Sequence, residues 1–385
     1  MYYFDHCAST PPHEEVIRTM AEVMAKHYAN PSSLHRGGLE ARQLLDRART
    51  VIAGLFSTEP QEWIFTSGGT ESNNLAVAGA AMAYANRGRH LITTAIEHPS
   101  VFDTFKRLEK EGFRVTYLMP DGGGVVSASD IEAALTGETT VVSVMHVNNE
   151  VGSIQPVKEI GSLLKARGRG PVFHVDGVQS VGKVPVDLSE CGIDLFTASA
   201  HKVGGPRGVG LLYVREGVQL NSLLSGGLQE YGLRPGTENV AAIVSAAKAF
   251  RLAAGSLAVR SERMYALRSI LVGAINEIPE LSLNGSDFGR TAPHIVNFSY
   301  PGMKPEVFVH MLEKHNILAS TKSACSSKDD KPSRVLEAMG AGRERASSGI
   351  RISFGDEHGE AELEYLCGTL RKVVQELKPL ERKDK

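Results

Sequence analysis

A lysine that follows a buried strand inside a glycine-rich loop can do covalent chemistry, and Ser199-Ala200-His201-Lys202-Val203-Gly204-Gly205 has that form. Held in a low-dielectric pocket, such an amine loses proton affinity and can condense with an aldehyde cofactor. Alone, the segment fits a surface lysine better, the ordinary fate of that residue. Other segments carry the same double reading. In His174-Val175-Asp176-Gly177-Val178-Gln179, Asp176 ends an apolar run. A carboxylate there can keep a pyridinium nitrogen protonated, which makes the ring an electron sink, and Gln179 can bond a phenolic ring oxygen. The plain alternative for Asp176 is a cap or turn residue. Thr66-Ser67-Gly68-Gly69-Thr70 runs from a strand through glycines into a helix, where free N–H groups and the Thr70 hydroxyl can cradle a phosphate. It matches neither the P-loop nor the dinucleotide fingerprint. His98, in Glu97-His98-Pro99-Ser100, can stack on a flat ring and move a proton, or be a simple loop histidine. Asn149, in Val147-Asn148-Asn149-Glu150, can bond a cofactor or substrate oxygen, or be a polar turn.

What unites these segments is the element in front of each. Ile64–Thr66, His90–Thr94, Val115–Leu118, Val141–Val147, Val172–Val175, Leu195–Ala198 and Gly210–Val214 read as strands. Amphipathic stretches lie between them, such as Ala41, Leu45, Ala48, Ile52 and Leu55 at helical spacing, and a helix that follows Pro156. This alternation predicts an α/β fold with a mostly parallel, seven-stranded sheet flanked by helices. Ligands of such sheets sit at the carboxyl ends of the strands. Each chemical segment follows a strand, so the separate plain readings become hard to sustain together. Jointly the segments read as one site for pyridoxal phosphate (PLP), anchored on Lys202.

The alternation stops near residue 215. One long helical region follows, from about Glu238 to Glu277, then a strand over His294–Ser299, a helix over Pro305–Lys314 and a short segment to Leu318. A polar loop carries Cys325, and a strand over Ile350–Phe354 precedes a C-terminal helix. The pattern predicts a smaller α+β domain, with residues 12–255 forming the large cofactor-binding domain and 1–11 plus 256–385 the small one.

Composition excludes several other classes. Over 385 residues, 42 Lys+Arg nearly cancel 44 Asp+Glu, which gives no global drive toward nucleic acid or an anionic membrane. No apolar run is long enough to span a bilayer, and the first residues lack the pattern of a signal peptide, so a cytoplasmic location is expected. Cys7, Cys191, Cys325 and Cys367 are scattered, with no Cys-x-x-Cys pair, so neither a metal site nor a disulfide frame is expected.

The motifs resemble those of the cysteine desulfurases, in the class V aminotransferase branch of fold type I PLP enzymes. The likeness rests on Thr-Ser-Gly-Gly-Thr-Glu-Ser-Asn-Asn (66–74), Val-Asn-Asn-Glu-Val-Gly (147–152), His-Val-Asp-x-x-Gln-Ser (174–180), Ser-Ala-His-Lys (199–202), Arg-Pro-Gly-Thr-Glu-Asn (234–239) and Ser-Ala-Cys-Ser-Ser (323–327). It implies that Lys202 anchors PLP, Asp176 pairs with the ring nitrogen, Gln179 faces the ring oxygen, His98 stacks on the ring and Asn149 lies beside it. Gly69, Thr70, Ser199 and His201 would hold the phosphate, and Thr237 would reach the phosphate of a partner subunit in a homodimer. Arg351 would bind the substrate carboxylate, a role that suits its planar fork. Cys325 would take the sulfur of L-cysteine as a persulfide and release L-alanine, with Lys202 moving the α-proton and His98 assisting. Its spacing to Pro332 is similar to that of the longer-loop group. The family usually has a small uncharged residue where Cys7 stands, and often Ala where Gly69 stands. Relatives that serve iron–sulfur scaffold proteins often extend further at the C-terminus, so of the two protein acceptors, a scaffold or a tRNA-thiolation sulfurtransferase, the resemblance favours the second. An aminotransferase, a selenocysteine lyase and a non-enzymatic sulfur-relay scaffold are the alternatives.

Overall fold

The computed structural model describes residues 1–168, 170–285, 289–321 and 331–380. A two-residue strand, β1 (Tyr2–Tyr3), and two helices, α1 (Glu14–Lys26) and α2 (Arg36–Phe56), precede the main sheet. Strands then alternate with helices: β2 (Trp63–Thr66), α3 (Gly69–Ala83), β3 (His90–Thr94), α4 (Pro99–Lys110), β4 (Arg114–Leu118), α5 (Ala128–Ala134), β5 (Thr139–Met145), α6 (Val157–Ala166), β6 (Val172–Asp176), β7 (Leu195–Ser199) and β8 (Gly210–Val214). Their spatial order is β2-β8-β7-β6-β5-β3-β4, with β8 alone antiparallel to its neighbours. The expected seven-stranded, mostly parallel sheet is present.

The pleat explains the runs that gave the strands away. Ile64, Leu91, Val141, Val172, Leu195 and Leu212 point to one face, where they meet α3 and α4 through Leu75, Val101 and Phe105. Their neighbours Phe65, Ile92, Val142, Phe173, Phe196 and Leu211 point to the other face, toward α1, α2, α6 and the later helix α7 (Val240–Gly255). Both faces are covered, so the central strands are buried at every position rather than alternating buried with exposed.

After α7 the chain forms α8 (Leu257–Asn276), β9 (Ser282–Asn284), β10 (Ile295–Ser299), α9 (Pro305–Lys314), β11 (Ile317–Leu318), α10 (Arg334–Ala338), α11 (Arg343–Ser347), β12 (Gly349–Ser353) and α12 (Glu360–Leu377). A three-stranded antiparallel sheet, ordered β12-β10-β9, packs with α8, α9 and α12 around Phe298, Phe308, Ile350, Ile352 and Leu366. Phe4 is buried in this second core, and β1 pairs in parallel with β11, so the N-terminal residues join the C-terminal elements.

The long helical region expected over 238–277 is present as two helices, α7 and α8, bent by 68°. The break falls at Gly255-Ser256, a pair that interrupts the backbone ladder, and the side chain of Arg260 takes up the Ala253 carbonyl left at the end of α7. β1 and β9 are too short for their pattern to show in sequence. Among the described residues no single helix is long and apolar enough to cross a membrane.

Candidate active site

Because β2, β3, β5, β6 and β7 run the same way, their carboxyl ends share one edge of the sheet. β2 delivers Gly69 and Thr70 at the start of α3, β3 delivers His98, and β5 delivers Asn149. β6 ends on Asp176, and β7 leads through Ser199 into a single turn that carries His201 and Lys202. β12 supplies Arg351 from the second core. These residues, with Gln179, line one cleft of about 160 Å³. Thr237 lies outside it, exposed, two residues before the N-cap of α7. Cys325 falls outside the described residues.

Lys202 reaches back to the N-terminal segment, where its Nζ donates to the carbonyls of Cys7 and Ala8, the latter at 2.9 Å. Its own backbone carbonyl accepts from Lys183 Nζ at 2.8 Å and Thr10 Oγ1 at 3.3 Å, which fixes the turn. Lys183 is buried, and loss of solvation lowers its pKa to about 8.

Asp176 is 4% exposed, and burial pushes its pKa above the ordinary carboxylate value. One oxygen accepts from the Val178 N–H at 3.0 Å and the other from Asn73 Nδ2 at 2.8 Å. A cation placed against it would reverse the burial effect and hold it ionised. His98 caps α4, its Nδ1 accepting from the Ser100 N–H at 3.2 Å, and burial lowers its pKa to about 4, aided by the charges of Lys202 and Arg334.

Arg351 is buried, with Nη2 on Asp5 at 2.9 Å and Nη1 on the Asn149 carbonyl at 2.7 Å. Its guanidinium is thereby aimed at the cleft from a fixed frame, and charge on a buried guanidinium is well suited to a carboxylate. Gly69 has a steric reason: a Cβ there would lie 2.9 Å from Val178 Cγ2 and 3.6 Å from Ser199 Cβ, narrowing the cradle.

Sequence reasoning missed Asn73, Ser100, Asp5 and Lys183 as parts of this site. Asn73 stands inside a quoted motif, but its partner Asp176 is 103 residues away. Lys183 looks like an ordinary surface lysine in sequence, since nothing local signals that it is buried.

Known proteins resemble this chain over nearly its full length. The model of the aminotransferase class-V family matches residues 2–366. A protein named cysteine desulfurase IscS from Clostridium botulinum is 41% identical over 383 residues, 98% of this chain and 96% of that one. This chain belongs to the cysteine desulfurase family. The IscS of Escherichia coli is 42% identical over 383 residues, covering 98% of the desulfurase and 94% of that chain. Among solved structures, a NifS-like protein superimposes with a TM-score of 0.91 at 36% identity, covering 98% and 99% of the two chains. An apo cysteine desulfurase from Thermococcus onnurineus NA1 gives 0.87 at 26% identity, covering 98% and 95%. The desulfurase is thus a PLP enzyme, and its cleft fits that cofactor. Ser199 Oγ beside the cradle and Gln179 Oε1 near the strand end are buried with no partner among the described residues, which leaves both for a phosphate and a polar ring.

Proposed function

We propose that this desulfurase takes L-cysteine, passes its sulfur to Cys325 as a persulfide, and works as a homodimer. The observation that supports this most is the meeting of Lys202, Asp176, His98 and Arg351, drawn from separate strands, in one cleft. Bound PLP would supply an aldehyde for covalent attachment and a ring that accepts electrons. Lys202 would be the attachment point for the cofactor and the base that handles the α-proton. Asp176 holds the ring nitrogen protonated, with Val178 and Asn73 keeping its oxygens in place. Gly69, Thr70, Ser199 and His201 bind the phosphate, Gln179 and Asn149 border the ring, and Arg351 binds the substrate carboxylate. The Cys325 thiolate would attack the substrate's sulfur, the carbon–sulfur bond would break with its electron pair passing to the carbon, and protonation of that carbon would give alanine beside a Cys325 persulfide.

Thr237 completes the phosphate site of the partner subunit. Its exposure supports this, as do Leu224, Leu228 and Tyr231, exposed apolar residues on the same segment. The separate cores around Phe298 and Phe196 support a division into a large domain, 12–255, and a small one formed by 1–11 and 256–385. We place the enzyme in the cytoplasm, in the longer-loop group, with a protein acceptor: an iron–sulfur scaffold or a tRNA-thiolation sulfurtransferase. A persulfide-transfer assay against both separates them.

The deciding experiment is Cys325→Ala. The variant is expected to keep the yellow colour of the Lys202-bound cofactor and to bind cysteine, yet to make no alanine beyond background. Turnover at the parent's rate would overturn the persulfide role.

A further inference from the structure

Within the cleft, hydrogen atoms can be placed on His98 by working outward from donors that cannot rotate. The backbone N–H of Ser100 points at His98 Nδ1 at 3.2 Å, and a backbone amide can only donate. Nδ1 is therefore an acceptor and bears no proton. The Ser100 hydroxyl lies 2.8 Å from the same nitrogen and donates to it as well. That leaves the Ser100 oxygen to accept, which it does from Asn73 Nδ2 at 2.9 Å. The second hydrogen of the same amide goes to Asp176 Oδ2 at 2.8 Å. A carboxylate fixes which way round the Asn73 amide sits, because only the nitrogen end can donate to it. The direction of every bond follows, from Asn73 to Asp176 on one side and from Asn73 through Ser100 to His98 on the other.

We propose that His98 works as a neutral imidazole with its proton on Nε2, and that Asn73 and Ser100 are positioning residues that hold it in this form while tying it to Asp176. Taking up a proton at Nδ1 would set two donors, the ring N–H and the Ser100 amide, against each other. The start of α4 adds a partial positive charge at the same place. The other charged groups facing the ring, Lys202 and Arg334, also disfavour an imidazolium, and Asp176 meets it only through the Asn73 link. In this form the Nδ1 lone pair of His98 is engaged by Ser100. It offers a flat ring face and an Nε2–H donor, and proton removal falls to Lys202. This rests on the desulfurase reading, in which His98 stacks on the cofactor ring, although the tautomer itself does not.

The test is ¹⁵N NMR of holoenzyme labelled at histidine, with His98 assigned by comparison with His98→Gln. The expected signal shows an unprotonated Nδ1 and a protonated Nε2, and stays unchanged from about pH 6 to 8, where free imidazole titrates. Ser100→Ala is expected to keep the cofactor's absorption and the KM for cysteine, to perturb the His98 signal, and to lower kcat about tenfold, the equivalent of one hydrogen bond. Ser100→Thr is expected to restore both. A His98 signal that titrates in that range, or that carries its proton on Nδ1, overturns the proposal. A Ser100→Ala enzyme with an unchanged signal and kcat overturns the role given to Ser100. Alanine formation by the parent is measured separately, so failure of the desulfurase reading is distinguishable from failure of this one.

Discussion

Two buried polar clusters in this enzyme differ in how fully they are satisfied. Beneath the sheet, Arg49 grips Glu230 with both ends of its fork, at 2.6 and 2.9 Å. Glu230 also accepts from the Phe65 N–H at 2.8 Å, Arg49 donates to the Trp63 carbonyl, and the guanidinium lies 4.6 Å over the Phe65 ring. The cleft is built the other way. Ser199 Oγ, Gln179 Oε1 and Asn73 Oδ1 are buried there with no partner among the described residues, and burial pushes the Asp176 pKa up. A closed cluster works for the fold, here by holding Glu230 and Tyr231 in left-handed backbone conformations at φ 46° and 58°. An open cluster leaves its unmet bonds for a ligand. Burial of polar groups thus has two uses in one molecule, told apart by whether the protein itself completes the bonds.

If that division is right, a cut in the open cluster should cost activity and little stability. Asp176→Asn is the strongest case: kcat/KM for cysteine should fall by about 10²–10⁴, the range for a group that acts on the reacting atoms. Thermal unfolding of the variant should shift little, because the wild-type carboxylate is itself held at a cost in burial. A large fall in unfolding temperature with kcat intact would break the comparison.

A cut in the closed cluster should do the reverse. Glu230→Ala leaves Arg49 buried and unpaired, and urea unfolding should show a loss of about 3–5 kcal/mol. Cofactor absorption of the folded fraction should persist. Intermediate in size is Gly177→Ala, next to Asp176. A Cβ there would lie 2.0 Å from the Phe196 ring, so overpacking should cost about 1–3 kcal/mol in the same assay.

The effect spread over pH is a slope. Glu97 is fully buried with one oxygen unpartnered, and burial raises its pKa to about 8. The folded state therefore holds this proton where the unfolded chain has released it, and stability falls as pH rises from the ordinary carboxylate value to about 8. Glu97→Gln should remove that term, so its stability relative to the parent should climb with pH by at most ~1.4 kcal/mol per unit. Parallel urea curves at pH 5 and 8 check it. A constant difference between the two proteins would show that Glu97 is charged in the fold.

Much of this architecture is legible in the order of the residues. The buried strands of the main sheet can be read because each is a short run rich in apolar residues bounded by turn residues, and the helix over Pro305–Lys314 because its period repeats over ten residues. The chemical residues can be read because each sits just after such a run. What stays hidden is short or distant. β1 and β9 carry too few residues to show a period, and the bend at Gly255-Ser256 looks locally like one helix.

By itself, then, the sequence determined the order of strands and helices, the residues at the strand ends, and through them the family and its cofactor. These depend on local period and on short motifs, which survive in one dimension. Only the tertiary structure decided which atoms are left over. Asn73 meets Asp176 across 103 residues, Arg49 meets Glu230 across 181, and Arg351 meets Asp5 across 346. Hydrogen-bond direction at His98 follows from such contacts, because a tautomer is set by its neighbours in space and not by its neighbours in the chain.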